Sequence, residues 1–285
     1  MSGQSPATDL EVLRAIAREA SLLVMKVYAT DFAVDYKGAD DPVTRADREA
    51  NSLICARLAA SFPDAGICAE ESAPTSDAEL AAITRRERVF FVDPVDGTRE
   101  FANKSGEFCV MIGLTVEGVP TAGIVAIPIE NKLLWGSVEA GTFCEALDGS
   151  TGPTRLEIGA PMTALRAVVS RSHPSPRTRA ILERLDVREQ IPCGSVGVKA
   201  ARVIEGAADL YVHPSNGAKL WDACAPDALI RGAGGMMTNI DGNAIDYRGA
   251  LPVERGLIAT SKLLLPRVLA AITGSAVNGG ERARD

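Results

Sequence analysis

A layered α/β architecture is predicted for this chain by three features of its 285-residue sequence. Two helical stripes lie near the start, closely spaced apolar segments fill the middle, and short strands alternate with helices after residue 152. In residues 10–27, Leu13, Ile16, Ala17, Ala20, Val24 and Val27 fall on one helical face, with Thr8 or Asp9 available as a cap. A second helix is expected over 45–61, with Ala50, Leu53, Ile54 and Leu58 inward and Phe62-Pro63-Asp64 ending it. A short apolar piece at 66–69 leads into Glu70-Glu71-Ser72, and the polar stretch 74–88 reads as a surface loop or a short exposed helix. Strands are expected at 89–92, 108–116, 122–127 and 132–138, with Glu117-Gly118 as a tight connection. Such a meander implies an antiparallel or mixed sheet.

Thr151-Gly152-Pro153 marks a soft boundary between an N-terminal α+β lobe, 1–152, and a C-terminal α/β lobe, 153–285. In the second lobe strands are expected at 167–170, 209–212, 236–240 and 257–260. Helices are expected at 176–185, 196–205, 222–231 and 262–272, the third stopped by the glycines of 232–235. The polar tail 276–285 is expected to fray.

Composition narrows the function. Hydrophobic residues make up 46% of the chain, enough for a packed globule. Thirty Lys and Arg stand against 37 Asp and Glu, a net charge of −7, which argues against a binder of nucleic-acid polymers. Six cysteines are scattered without a CxxC pair, and there are only two histidines, so neither a zinc site nor a disulfide framework is expected. The N-terminal residues lack a secretory pattern and no run is apolar enough to span a membrane, so a cytoplasmic location is expected.

The most informative segment is Asp93-Pro94-Val95-Asp96-Gly97-Thr98, where an apolar strand delivers two carboxylates at its C-terminal end. Acids held so close repel each other unless a cation lies between them, and hard oxygen donors favour Mg²⁺. Glu70-Glu71 follows another apolar segment, Asp47 lies near a helix start, and Asp222 precedes a helix. Taken singly each has a plainer reading. Asp96-Gly97 suits a turn, Glu70-Glu71 a solvated pair, Thr44 and Asp47 a capping box, and Asp222 an N-cap.

Together these residues carry a resemblance. Ala69-Glu70-Glu71-Ser72, Asp93-Pro94-Val95-Asp96-Gly97-Thr98 and Trp221-Asp222-Ala223-Cys224-Ala225, in that order, resemble the three signatures of the inositol monophosphatase superfamily of lithium-sensitive, Mg²⁺-dependent phosphatases. The resemblance runs from about residue 10 to 272. It implies a layered αβαβα sandwich of the inositol monophosphatase and fructose-1,6-bisphosphatase type. It also implies that Glu70, Asp93 and the Val95 carbonyl hold one Mg²⁺, and that Asp93, Asp96 and Asp222 hold a second, with Asp93 bridging. Glu70 would share in a third, looser ion through water, Asp47 and Thr98 would activate the attacking water, and Gly97 and Thr98 would offer N–H groups to the phosphate.

Three further segments resemble the 3′(2′),5′-bisphosphate nucleotidase branch, which includes bacterial CysQ. They are Asp96-Gly97-Thr98-Arg99-Glu100-Phe101 with Gly106-Glu107-Phe108, then Ser170-Arg171-Ser172-His173, then Gly194-Ser195-Val196-Gly197-Val198-Lys199. Residues 219–243 are especially like the animal members. This implies a small nucleotide substrate, adenosine 3′,5′-bisphosphate (PAP), with Lys199 and His173 on its second phosphate or base and Ser170, Ser195 and Asp222 also in contact. Lys199 could instead be an exposed helix residue, His173 structural, His213 a pocket edge and Trp221 packing. Ser195 stands where these nucleotidases often have glycine. An inositol phosphate phosphatase and a non-catalytic nucleotide or metal sensor are the competing readings, and oligomeric state is not indicated.

Overall fold

The computed structural model describes residues 6–38, 41–172 and 175–274. The expectations for His173 and for the tail 276–285 lie outside them. Helix α1 (Pro6–Tyr28) buries the anticipated stripe, with Leu13, Ile16, Ala17, Ala20, Val24 and Val27 all closed to solvent. The expected cap is corrected: Thr8 and Asp9 lie inside the helix. Asp9 instead pairs with Arg88 at 2.6 Å. A small antiparallel pair, β1 (Val34–Gly38) and β2 (Asp41–Thr44), precedes α2 (Arg45–Ser61). These strands were not anticipated, because VDYKG and DPVT carry too few apolar residues for a period of two to stand out.

Seven strands form the first sheet in chain order: β3 (Gly66–Ala69), β4 (Arg88–Asp96), β5 (Cys109–Val116), β6 (Val119–Ile127), β7 (Lys132–Ser137), β8 (Gly141–Ala146) and β9 (Thr154–Leu156). Only β3 and β4 run parallel, so their connection must cross over, and α3 (Asp77–Thr84) occupies it. A one-turn helix, α4 (Thr98–Ala102), follows β4. Successive residues feed opposite cores. Phe90, Val110 and Ile124 face α1 and α2, whereas their neighbours Phe91, Met111 and Val125 face the second half of the chain. Both faces are therefore dry, which explains why these strands read as near-continuous apolar runs.

The second sheet has five strands in the spatial order β11-β10-β12-β14-β13: β10 (Arg166–Ser170), β11 (Glu189–Cys193), β12 (Leu210–His213), β13 (Gly235–Thr238) and β14 (Leu257–Ser261). Helices α5 (Pro176–Arg184) and α8 (Leu265–Thr273) cover its outer face through Ile181, Leu182 and Val268. Helices α6 (Val196–Ile204) and α7 (Leu220–Gly232) lie between the two sheets and share one core with both. The layers are thus helix, sheet, helix, sheet, helix, the αβαβα order implied by the signatures. Strand β11 escaped notice because it is a polar edge, with Pro192 near its end. Strand β9 lies past the division expected at 152 but extends the first sheet.

Helix α7 sits unusually close to the first sheet. Gly113 and Gly123 are direct cross-strand partners on β5 and β6. A Cβ on Gly113 would stand 2.5 Å from the Ala225 nitrogen, and one on Gly123 would stand 2.4 Å from the Ala225 carbonyl oxygen. The pair of bare backbones forms a saddle for the helix. Gly123→Ala should therefore lower stability by about 1–3 kcal/mol, the usual cost of overpacking a dense core. An unchanged urea midpoint would show that α7 can shift freely.

Candidate active site

Two carboxylates three residues apart on a regular strand would point to opposite faces. In β4 they do not, because the register slips: Asp93 pairs with Met111, but Asp96 pairs with Cys109. One extra residue sits on the β4 side, a β-bulge that returns Asp96 to the face of Asp93. Pro94 lies inside the irregularity, where a missing N–H costs no ladder bond. Gly97 follows at φ 93°, and a Cβ there would meet the Glu107 carbonyl oxygen at 2.8 Å. Only glycine permits that turn.

The third acid arrives from α7. Asp222 is held by the Lys219 N–H, which donates to Oδ2 at 2.6 Å. Oxygens of Asp93, Asp96 and Asp222 all lie within 4.8 Å of one another. Burial, then the charges of Glu70, Asp96 and Asp222, push the Asp93 carboxyl well above the usual carboxylate range. Burial and the Asp96 charge push Asp222 to about 8. Asp96 is raised by burial, with Ser195, Gly197 and Lys199 acting against the shift. Glu70 begins a 3-10 turn directly after β3, whose last residue Ala69 pairs with Val92, so it emerges beside Asp93 and lines the same cleft. It stands outside the tight group of three. A cluster of hard, mutually repelling oxygens fits a divalent cation such as Mg²⁺ by the chemistry of its donors.

Asp47 uses both of its carboxylate oxygens. Its Oδ2 accepts the Thr44 N–H at 2.8 Å and the Thr44 hydroxyl at 2.6 Å, completing the capping box of α2. Its Oδ1 lies 2.9 Å from the Thr98 hydroxyl, which is also 3.0 Å from the Val95 carbonyl. Burial raises the Asp47 pKa while these hydrogen bonds oppose the rise.

The cleft around these groups has a volume of about 390 Å³, and Ser170, Ser195, Lys199, Tyr211 and His213 line it together with the acids. Lys199 is not the exposed helix residue it could have been. It is 4% exposed, its Nζ lying 5.4 Å from the Tyr211 ring centroid and donating to the Cys193 carbonyl at 3.5 Å. Burial lowers its pKa, and Asp96 acts in the opposite direction. Ser195 is engaged with Asp96: its hydroxyl donates to Oδ2 at 2.5 Å. Trp221 is packing, closed into the central core.

Sequence reasoning gave no role to Glu107 or Glu100, although both sit in the nucleotidase-like segments. Glu107 accepts Arg171 through two bonds of 2.7 Å and the Gly194 N–H at 2.8 Å, tying β10 and the turn before α6 to the first sheet. Arg171 thereby holds the Glu107 carboxyl below its ordinary range. Glu100 accepts the Ser172 hydroxyl. The Gly-Glu-Phe motif was the available signal; its partners, more than sixty residues away, were not.

The model of the inositol monophosphatase family matches residues 6–276. The 3′(2′),5′-bisphosphate nucleotidase CysQ of Salmonella typhimurium is 32% identical over 241 residues, covering 84% of this chain and 93% of that protein. The 3′(2′),5′-bisphosphate nucleotidase 1 of Mus musculus is 30% identical over 82% of this chain and 83% of its own length. Among solved structures, CysQ from Bacteroides thetaiotaomicron superposes with a TM-score of 0.74 at 25% identity, over 88% of this chain and 97% of that one.

The raised pKa of Asp222 has a measurable consequence. Between its unfolded value of 3.8 and its folded value of about 8, the native state holds a proton that the unfolded chain releases. Stability of the cation-free protein should therefore fall as pH rises from about 5 to about 8. Thermal midpoints in EDTA should show that fall, Mg²⁺ should flatten it, and Asp222→Asn should reduce it. A midpoint that climbs with pH in EDTA would contradict the description of the cluster.

Proposed function

The chain belongs to the inositol monophosphatase family, and from that membership we propose that it is a Mg²⁺-dependent 3′(2′),5′-bisphosphate nucleotidase that converts PAP to AMP and phosphate. The observation that carries this reading is the joining, in one cleft, of the three-carboxylate cluster and the buried cation of Lys199. A cation site alone would serve any phosphate monoester. A second, protein-borne positive charge in the same cleft suits a substrate with a second phosphate. The named relatives support the same substrate class.

Glu70, Asp93 and the Val95 carbonyl would hold one Mg²⁺, and Asp93, Asp96 and Asp222 a second; Glu70 would also help to hold a third. Bound there, the ions supply charge neutralisation and a lowered pKa for water. The protein supplies position. With its proton on the Asp47 side, the Thr98 hydroxyl keeps lone pairs for the attacking water. Thr44 fixes the far side of the Asp47 carboxylate, so Oδ1 cannot swing away. Gly97 and Thr98 would present N–H groups to the phosphate. Lys199 would pair with the second phosphate, and Ser170 would donate to the nucleotide. The six unpaired cysteines support the cytosolic expectation.

Phosphate release with Mg²⁺ should give a higher kcat/KM for PAP than for inositol 1-phosphate. A preference for inositol 1-phosphate would keep the cation chemistry and discard the nucleotide; release from neither would favour a sensor. Asp96→Asn should reduce kcat about 100-fold or more, since several kcal/mol of charge stabilisation depend on the ions. Lys199→Ala should raise KM for PAP about tenfold, the worth of a charged hydrogen bond, and leave a nucleoside 3′-monophosphate less affected. An equal loss on both would show that Lys199 does not read the second phosphate.

A further inference from the structure

Asp96 is restrained from one side. Its Oδ2 accepts the Ser195 hydroxyl at 2.5 Å and the Gly197 N–H at 2.7 Å, with the Cys109 thiol 3.7 Å away. No protein donor reaches its Oδ1 among the described residues, and Asp96 lines the cleft. The two close donors belong to one structural unit, the first turn of α6, where Ser195 is the N-cap. The serine is itself held. Its Oγ accepts the Val198 N–H at 3.0 Å and lies 3.3 Å from the Cys109 sulfur, and the residue is buried. With Val198 occupying a lone pair, the one hydroxyl proton is left for Asp96.

The backbone adds a second observation. Ser195 has φ 54° and ψ 139°, on the side of the map where a Cβ is costly and glycine is the ordinary solution. The chain keeps a serine there, and the side chain makes contacts glycine cannot make. We propose that Ser195 is a positioning residue for the cation site. Together with the Gly197 N–H it fixes Oδ2 of Asp96, leaving Oδ1 as the cation-facing oxygen. This rests on the reading of Asp96 as a Mg²⁺ ligand. Removing such an outer partner weakens metal binding by letting the ligand rotate, without touching the ion or the substrate.

The test is calorimetric titration of the full chain with Mg²⁺, without substrate, for wild type, Asp96→Asn, Ser195→Gly and Ser195→Ala. Ser195→Gly removes the hydroxyl and suits the backbone angle; Ser195→Ala removes the hydroxyl and keeps the strain. Both should bind Mg²⁺ roughly tenfold more weakly, while Ser195→Gly matches wild type in thermal midpoint in EDTA. Excess Mg²⁺ should bring kcat of Ser195→Gly back towards wild type, with KM for PAP unchanged. If Asp96→Asn binds Mg²⁺ like wild type, the ligand reading fails first. If Asp96→Asn loses binding but both Ser195 variants keep it, the positioning role is overturned. A raised KM in Ser195→Gly that Mg²⁺ does not correct would also overturn it, and would assign the hydroxyl to the nucleotide.

Discussion

Repulsion among Asp93, Asp96 and Asp222 is the force the rest of the molecule has to contain. Three carboxylates whose oxygens lie within 4.8 Å of one another would separate if their backbones could move. The fold denies each of them that movement by a different device. A bulge locks the two acids of β4 onto one face. The glycine saddle lets α7 press close enough to bring the third. The turn before α7 pins Asp222 through the Lys219 N–H, and the start of α6 pins Asp96. Electrostatic strain is held in place by packing, and a dication converts that strain into affinity.

The architecture was legible because both sheets are buried on two faces and punctuated by glycine, proline and capping residues. Helix α2 was anticipated at its true bounds, since Thr44 and Phe62 mark both ends. What escaped were elements without an apolar rhythm: β1, β2, β8, β9 and the polar edge β11. The cap assigned to Thr8 or Asp9 failed for a related reason, because several polar residues there could start a helix, and both lie inside it.

At the site, the legible part was local and the illegible part was long-range. The 93–98 segment announced two acids, but only the bulge explains how they come to share a face. Asp47 offered two readings that looked exclusive, yet its two oxygens divide the work, one capping a helix and one facing Thr98. Ser195 looked like a group for the substrate, and its partner proved to be Asp96. Glu107 had a motif but no role until Arg171 and Gly194 came beside it. Spacing reveals which residues travel together; it does not reveal which distant side chain each will meet.

The saddle on β5 and β6 also bears on how the chain is made. All the strands of the first sheet, with Phe91, Met111 and Val125 on its inner face, are synthesised well before α7, which covers them. A sheet that formed before α7 would show a broad oily surface with a flat glycine patch, the kind of species chaperones exist to shield. The same late arrival of Asp222 spares the nascent sheet from gathering all three acids before there is a core to hold them.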